Sequence, residues 1–174
     1  MDNPWRLKSG EVVVDRFHSH LEPQAALLLV EALSRIESSR RQFLTEVVDF
    51  DRVIGETICV ATGSGDEIIY AQRPKRFGLT RFVKNRIPEP CNTLVIVLKA
   101  GSNGEYVLIT AFVGRRAKPE PWDEKFFGQQ ADPSAAREAS RQFWSSHALV
   151  WGSEEMIPGT ETSRCPWSSL EDGI

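Results

Sequence analysis

The alternation of apolar and polar residues changes period along the chain and predicts a mixed set of elements. Residues 11–17 read as a short strand, and the three-to-four-residue apolar spacing from Pro23 to about Arg41 predicts a helix with proline in its first turn. Between Thr45 and Val113 the apolar runs are separated by turn residues, which predicts six strands: 45–50, 57–61, 67–71, 79–84, 94–99 and 106–113. Asp132 and Pro133 begin a second helix that runs to about His147, and a short strand at 148–151 follows it.

The predicted strands follow one another through short links, which favours antiparallel pairing. Strands 94–99 and 106–113 are predicted to form a hairpin, because Asn103-Gly104 in their connection accepts the positive φ of a tight turn. The expected fold class is therefore α+β, with a mainly antiparallel sheet of about six strands packed against an N-terminal and a C-terminal helix. Gly63-Ser64-Gly65 is a turn, because it lacks the Lys-Ser/Thr ending of a phosphate-binding loop.

Length and composition narrow the class of protein. The 174 residues predict a single domain over 1–174, and residues 152–174 read as an acidic, irregular tail. No stretch approaches the roughly 18 apolar residues of a membrane span, and the N-terminus has no apolar export segment, which predicts a cytoplasmic protein without a membrane partner. The cysteines Cys59, Cys91 and Cys165 are far apart and form no CxxC, which predicts reduced thiols rather than a disulfide framework or a zinc site.

The formal net charge of -3 is unevenly distributed. Residues 68–88 hold no Asp or Glu but six basic residues: Arg73, Lys75, Arg76, Arg81, Lys84 and Arg86. Such a basic segment inside an acidic chain forms either an anion-binding face or an edge strand whose charges are simply solvated. Within the run LTRFVKNR the strand period places cations on both faces.

A few other residues are candidates for chemistry. His18 and His20 form an HxH pair, but no third ligand lies at a useful spacing, so no metal site is predicted. His147 is predicted on the apolar helix face one turn beyond Phe143, where an imidazole serves either as an acid or base or as a hydrogen-bonded core residue. Thr110 shares strand parity with Tyr106, which predicts one face that carries both hydroxyls.

The basic strand TRFVKNR and the closing strand YVLITAFVG, with Thr110-Ala111-Phe112, resemble the barnase/EndoU/RelE-like endoribonuclease superfamily. The resemblance covers about residues 79–114. It implies a sheet face on which Thr110 and either Lys84 or Arg86 meet the scissile phosphate without a metal.

Two functional hypotheses follow. The first is a non-catalytic protein, without a cofactor, that recognises a small anionic ligand or a protein partner through Arg81, Lys84, Arg86, Tyr106, Trp122 and Trp144. The second is a metal-independent endoribonuclease in which Arg86 or Lys84 stabilises the developing charge, Thr110 positions the phosphate and His147 is the acid/base. RNA is then a partner, and an exposed hairpin edge permits a homodimer by strand addition.

Overall fold

The computed structural model describes residues 5–15, 23–38 and 41–167. The chain divides into two compact units, each built from separate stretches of sequence. The first unit comprises residues 1–56 and 90–116, and the second comprises 57–89 and 117–174.

The first unit is a four-stranded sheet with one helix. Its elements are β1 (Val13–Val14), α1 (Pro23–Leu33), β2 (Phe43–Asp49), β8 (Thr93–Ala100) and β9 (Tyr106–Val113). The strand order is β1-β9-β8-β2, with β1 parallel to β9 and the other pairs antiparallel. Leu29 and Leu33 of α1 are fully buried in the same apolar cluster as Ile96, Leu98 and Leu108 of the sheet, so burial of one helix face holds this unit together.

Helix α1 ends at Leu33, so the prediction that it extends to about Arg41 is wrong. The chain turns here, as Arg35 and Ile36 donate backbone hydrogen bonds only three residues back, and Ile36 enters the core. The Ser34 hydroxyl donates to the carbonyl of Glu31 (2.6 Å), a local competition with helix geometry that is typical of serine.

The predicted β8–β9 hairpin is confirmed, but the pairing register of its two strands shifts by one residue partway along. The register changes between Val97, opposite Thr110, and Leu98, opposite Leu108, so β9 holds one extra residue at this point. Such a bulge reverses the faces of the residues that follow it. Tyr106 is therefore buried on the core face with Leu108, whereas Thr110 faces the other way, and the prediction that Tyr106 and Thr110 share a face is wrong.

The second unit has its own four-stranded sheet. Its strands and helices are β4 (Cys59–Ala61), β5 (Ile68–Gln72), β6 (Leu79–Val83), α2 (Glu124–Phe127), α3 (Pro133–Ser146) and β10 (His147–Val150). The strand order is β4-β10-β6-β5, and β10 runs antiparallel to β4 but parallel to β6. A strand from late in the sequence thus lies between two earlier ones.

Helix α3 packs on this sheet, and the start predicted for it is confirmed. The Asp132 carboxylate accepts from the backbone N–H of Ala135, which confirms the predicted N-cap. Ser140 and Trp144 are the buried residues of the helix, and Trp144 joins Phe82 in the core. The helix stops at Ser146, however, and His147 is already extended, so the placement of His147 on the helix is wrong.

The prediction of α+β class with mainly antiparallel pairing is confirmed, but a single sheet of about six strands is not. The described chain has ten strands in three sheets, and the third sheet pairs β3 (Gly55–Thr57) with β7 (Glu89–Cys91). The predicted strand 57–61 breaks at Ile58, so that its two halves, β3 and β4, belong to different sheets.

Candidate functional site

The basic segment folds into the β5–β6 hairpin of the second unit and the residues just beyond it. Lys75 and Arg76 lie in the turn between β5 and β6, whereas Lys84 and Arg86 follow the far end of β6. Five strand residues span about 16 Å, so the two groups of cations lie at opposite ends of the hairpin. The six basic residues therefore do not form one continuous face.

Arg73, at the base of the turn, is neutralised inside the unit. Its Nη2 donates to Glu120 Oε2 at 2.6 Å, and its Nε donates to the hydroxyl of Thr80 at 3.1 Å. The side chains of Arg73 and Glu120 are only 15% and 9% exposed, and Glu154 lies 3.9 Å from Arg73 Nη1. The Arg73 charge is thus not available to a partner.

The turn itself, residues 73–78, is held in a defined shape and is called the cationic turn below. The Gln72 side chain donates to the carbonyl of Arg76 (2.7 Å), and the Arg76 N–H donates to the carbonyl of Arg73 (3.2 Å). Lys75 has φ of 63°, the one positive φ among the described residues other than glycine. Gly78 closes the turn so tightly against Trp122 that a Cβ there would overlap the indole ring.

The apex of the cationic turn presents charge and an aromatic ring to solvent. Lys75 and Arg76 are exposed, and no carboxylate of the described chain pairs with either. Phe77 beside them is 93% exposed, the highest value among the large apolar side chains described. Proline and glycine bracket this apex in the sequence RPKRFG, a turn signal that could have identified it.

Arg81 is committed to the sheet of the second unit. Its Nη1 donates to the Thr62 hydroxyl and to the carbonyl of His147, both at 2.8 Å. Tyr70 lies opposite Arg81 in the β5–β6 ladder. Burial raises the pKa of Tyr70 to about 12; a hydrogen bond with Cys165 raises it further, and the Arg81 charge acts in the opposite direction.

Arg86 and Lys84 have partners as well. Arg86 donates from Nη2 to the carbonyl of Ala61 (2.8 Å) and lies 3.8 Å from Asp66 and 3.7 Å from Glu89. The ammonium of Lys84 lies 5.6 Å from the ring centroid of Trp151, and the Lys84 side chain is exposed.

His147 is the first residue of β10, a central strand of the same sheet. Its ring stacks on Phe143 with centroids 4.1 Å apart, and Nδ1 is 3.0 Å from the carbonyl of Phe143. The Ser146 hydroxyl also lies 3.0 Å from Nδ1, so the ring nitrogen has two neighbours, and the direction of each hydrogen bond depends on the tautomer of the imidazole. Arg81 binds the carbonyl of His147 and Arg86 that of Ala61, which pairs with His147 in the ladder, so two guanidinium groups lie near this histidine.

Thr110 and Tyr106 belong to the first unit, whereas His147, Lys84 and Arg86 belong to the second. Whether Thr110 meets His147 and a cation therefore stays a prediction. Tyr106 borders a cavity of about 220 Å³ in the first unit, where its hydroxyl lies 2.8 Å from that of Ser38.

Of the two tryptophans predicted to bind ligand, Trp144 has a structural role. It is 3% exposed, and its indole N–H donates to the carbonyls of Lys118 (3.0 Å) and Pro119 (3.2 Å). Trp122 is partly buried against Gly78, and its Nε1 is buried without a hydrogen-bond partner among the described residues, as is Oε1 of Glu120. Trp122 thus packs against Gly78, the last residue of the cationic turn.

His18 and His20 lie outside the described residues. Within 5–15, 23–38 and 41–167, no group of three or more His, Cys, Asp or Glu residues is arranged to hold a metal ion. No helix in those ranges is long and apolar enough to cross a membrane.

Comparisons with known proteins identify no relative. No protein-family model, no curated protein and no solved structure matches the chain. The resemblance to the barnase/EndoU/RelE-like superfamily therefore stays a prediction from sequence.

Proposed function

We propose that this chain is a non-catalytic binding protein that recognises an anionic partner through the cationic turn. The observation that carries the proposal is the different use of the basic residues. Arg73, Arg81 and Arg86 make hydrogen bonds to groups of their own unit, whereas Lys75 and Arg76 pair with no carboxylate of the described residues and lie beside an exposed aromatic ring. The recognition surface thus moves from the predicted 81–86 region to residues 75–77.

Desolvation and local electrostatic potential both favour binding at Lys75 and Arg76. A guanidinium already bonded to a carboxylate or carbonyl would have to exchange those bonds for a ligand, with little net gain. Lys75 and Arg76 lose nothing comparable when an anion arrives. Although the protein is acidic overall, screening limits charge interactions to about 8 Å at physiological salt, so the local cations decide what binds at the turn.

The test is binding to a soluble polyanion, fluorescently labelled heparin, at increasing salt concentration. The double variant Lys75→Glu/Arg76→Glu should weaken binding at least about tenfold, because each reversal replaces an attraction by a repulsion. The matched control is Lys118→Glu/Lys125→Glu, which makes the same change of charge at two exposed positions of the same unit. Equal weakening by both double variants would show only a response to net charge and would rule out recognition by the turn.

The second candidate function is a metal-independent ribonuclease, and the surroundings of His147 favour it. The imidazole of this histidine stacks on Phe143, and the guanidinium groups of Arg81 and Arg86 bind backbone carbonyls close by, so an acid/base side chain and two cations lie in one region. Mixed RNA would be incubated with the protein in EDTA, beside His147→Ala and Arg86→Ala variants. Cleavage that both substitutions abolish is the expected result for an enzyme, and intact RNA with the unmodified protein excludes it.

A further inference from the structure

We infer that the anionic partner of the cationic turn is a lipid surface, onto which the turn docks with Phe77 inserted between the headgroups. This inference rests on the proposed function and names the partner. It assigns an interfacial role to residues 75–77, for which the sequence predicted no membrane partner. That prediction rested on the lack of an apolar span, and docking at an interface needs none.

The shape of the turn favours a deformable partner. Phe77 projects from the end of a two-stranded hairpin and is 93% exposed, so it forms a projection rather than a cleft. A small anion needs converging donors, which Lys75 and Arg76 at an apex do not provide. A bilayer interface can close around a single projecting ring, and the aromatic side chain then leaves water.

The chemistry of the apex matches an anionic interface. Lys75 and Arg76 directly precede Phe77, so both cations can reach headgroup phosphates and carboxylates while the ring enters the acyl boundary. Two acidic side chains at the base of the turn, Glu120 and Glu154, lie against Arg73. Ile157, 38% exposed, donates its N–H to the carbonyl of Gln72 and adds apolar surface beside the hairpin.

The turn is also already ordered before it binds. Gln72 fixes the carbonyl of Arg76, the buried Arg73–Glu120 pair fixes the base, and Trp122 fills the space under Gly78. A pre-ordered loop loses little conformational entropy on docking, so the contribution of one aromatic ring and two cations is not offset by folding of the loop.

A single-stranded nucleic acid fits these observations less well. Proteins that bind such strands combine a positive groove with several aromatic platforms for successive bases. The apex offers one ring on a projection, and the cations Lys84 and Arg86 lie at the other end of the hairpin.

The experiment is co-sedimentation of the full chain with vesicles of phosphatidylcholine alone and of phosphatidylcholine with about 25% phosphatidylserine. Phe77→Ala should lower the partition coefficient for the anionic vesicles about tenfold, because the variant has no aromatic ring to transfer from water into the bilayer. Lys75→Glu/Arg76→Glu should lower it at least as much. The control is Leu27→Ala, which removes an apolar side chain that is 73% exposed in the first unit, and it should partition like the unmodified protein.

Heparin binding, measured in parallel, distinguishes a failure of the lipid inference from a failure of the proposed function. Binding to anionic but not neutral vesicles, weakened by Phe77→Ala and not by Leu27→Ala, supports the inference. Heparin binding that depends on Lys75 and Arg76 without vesicle binding overturns the lipid inference and leaves the proposed function standing. Binding of a single-stranded RNA that Phe77→Ala weakens, again without vesicle binding, also overturns it, and binding to none of the three overturns both proposals.

Discussion

Arg73 Nη2 and Glu120 Oε2 lie 2.6 Å apart in an ion pair whose two side chains are almost fully buried. The partners are 47 residues apart in sequence, so the pair ties the β5–β6 hairpin to the loop before α2. This contact removes the first of the six cations from the surface, and it gives the cationic turn a fixed base.

Breaking the ion pair should destabilise the protein. Glu120→Gln keeps the shape of the side chain but leaves the buried Arg73 charge with only the more distant carboxylate of Glu154, 3.9 Å from Nη1, and we expect a loss of about 2–4 kcal/mol in the free energy of unfolding. Urea denaturation followed by circular dichroism measures it. Glu124→Gln is the control, because the Arg137–Glu124 pair is exposed and should contribute far less. Similar losses for the two variants would show that burial of the Arg73–Glu120 pair has no energetic role.

The close contact between Gly78 and Trp122 predicts a second stability effect. In Gly78→Ala the new methyl group would overlap the indole ring, so Trp122 or the turn must move, at a cost of about 1–3 kcal/mol. Gly63→Ala is the matched substitution, since nothing lies within 4 Å of a Cβ at that position. Thermal denaturation should show a lower Tm for Gly78→Ala and an unchanged Tm for Gly63→Ala. An unchanged Tm for Gly78→Ala would contradict the packing described.

Two tryptophans predicted to bind ligand should respond differently to the same change. Trp144→Phe removes an N–H that donates to two carbonyls, whereas Trp122→Phe removes a buried N–H that has no acceptor among the described residues. We expect Trp144→Phe to cost about 1–3 kcal/mol more than Trp122→Phe, because it leaves carbonyl groups unsatisfied. Chemical denaturation of both variants measures the two losses in the free energy of unfolding. A larger loss for Trp122→Phe would contradict the prediction.

Stability should depend on Tyr70 at alkaline pH. Burial raises the pKa of Tyr70 from 10.0 to about 12, so the unfolded chain gives up this proton first. The contribution of Tyr70 is therefore fully present below about pH 10 and is lost as the pH rises to about 12. Urea unfolding at several pH values across this range should show a steeper decline for the unmodified protein than for Tyr70→Phe. Parallel declines would contradict the raised pKa, and absorbance at alkaline pH reports the ionisation directly.

The local pattern of the sequence predicted most of what depends on neighbours in the chain. Asp132 and Pro133 specified the start of α3, and the apolar runs specified β8, β9 and the hairpin between them. These predictions succeed because capping and strand alternation act over a few residues. The same pattern predicted that residues 68–88 are basic, but not which of those charges are neutralised.

That distinction was decided by the tertiary structure. The ion-pair partner of Arg73, Glu120, lies 47 residues further along the chain, and Arg81 donates to the carbonyl of His147 because β10 inserts between β4 and β6. In the first unit, one extra residue in β9 separates Tyr106 from Thr110, and the period of the sequence does not encode a bulge. Burial pattern and backbone preference are local properties of a sequence, whereas the pairing of charges depends on the order of strands, which long-range packing sets.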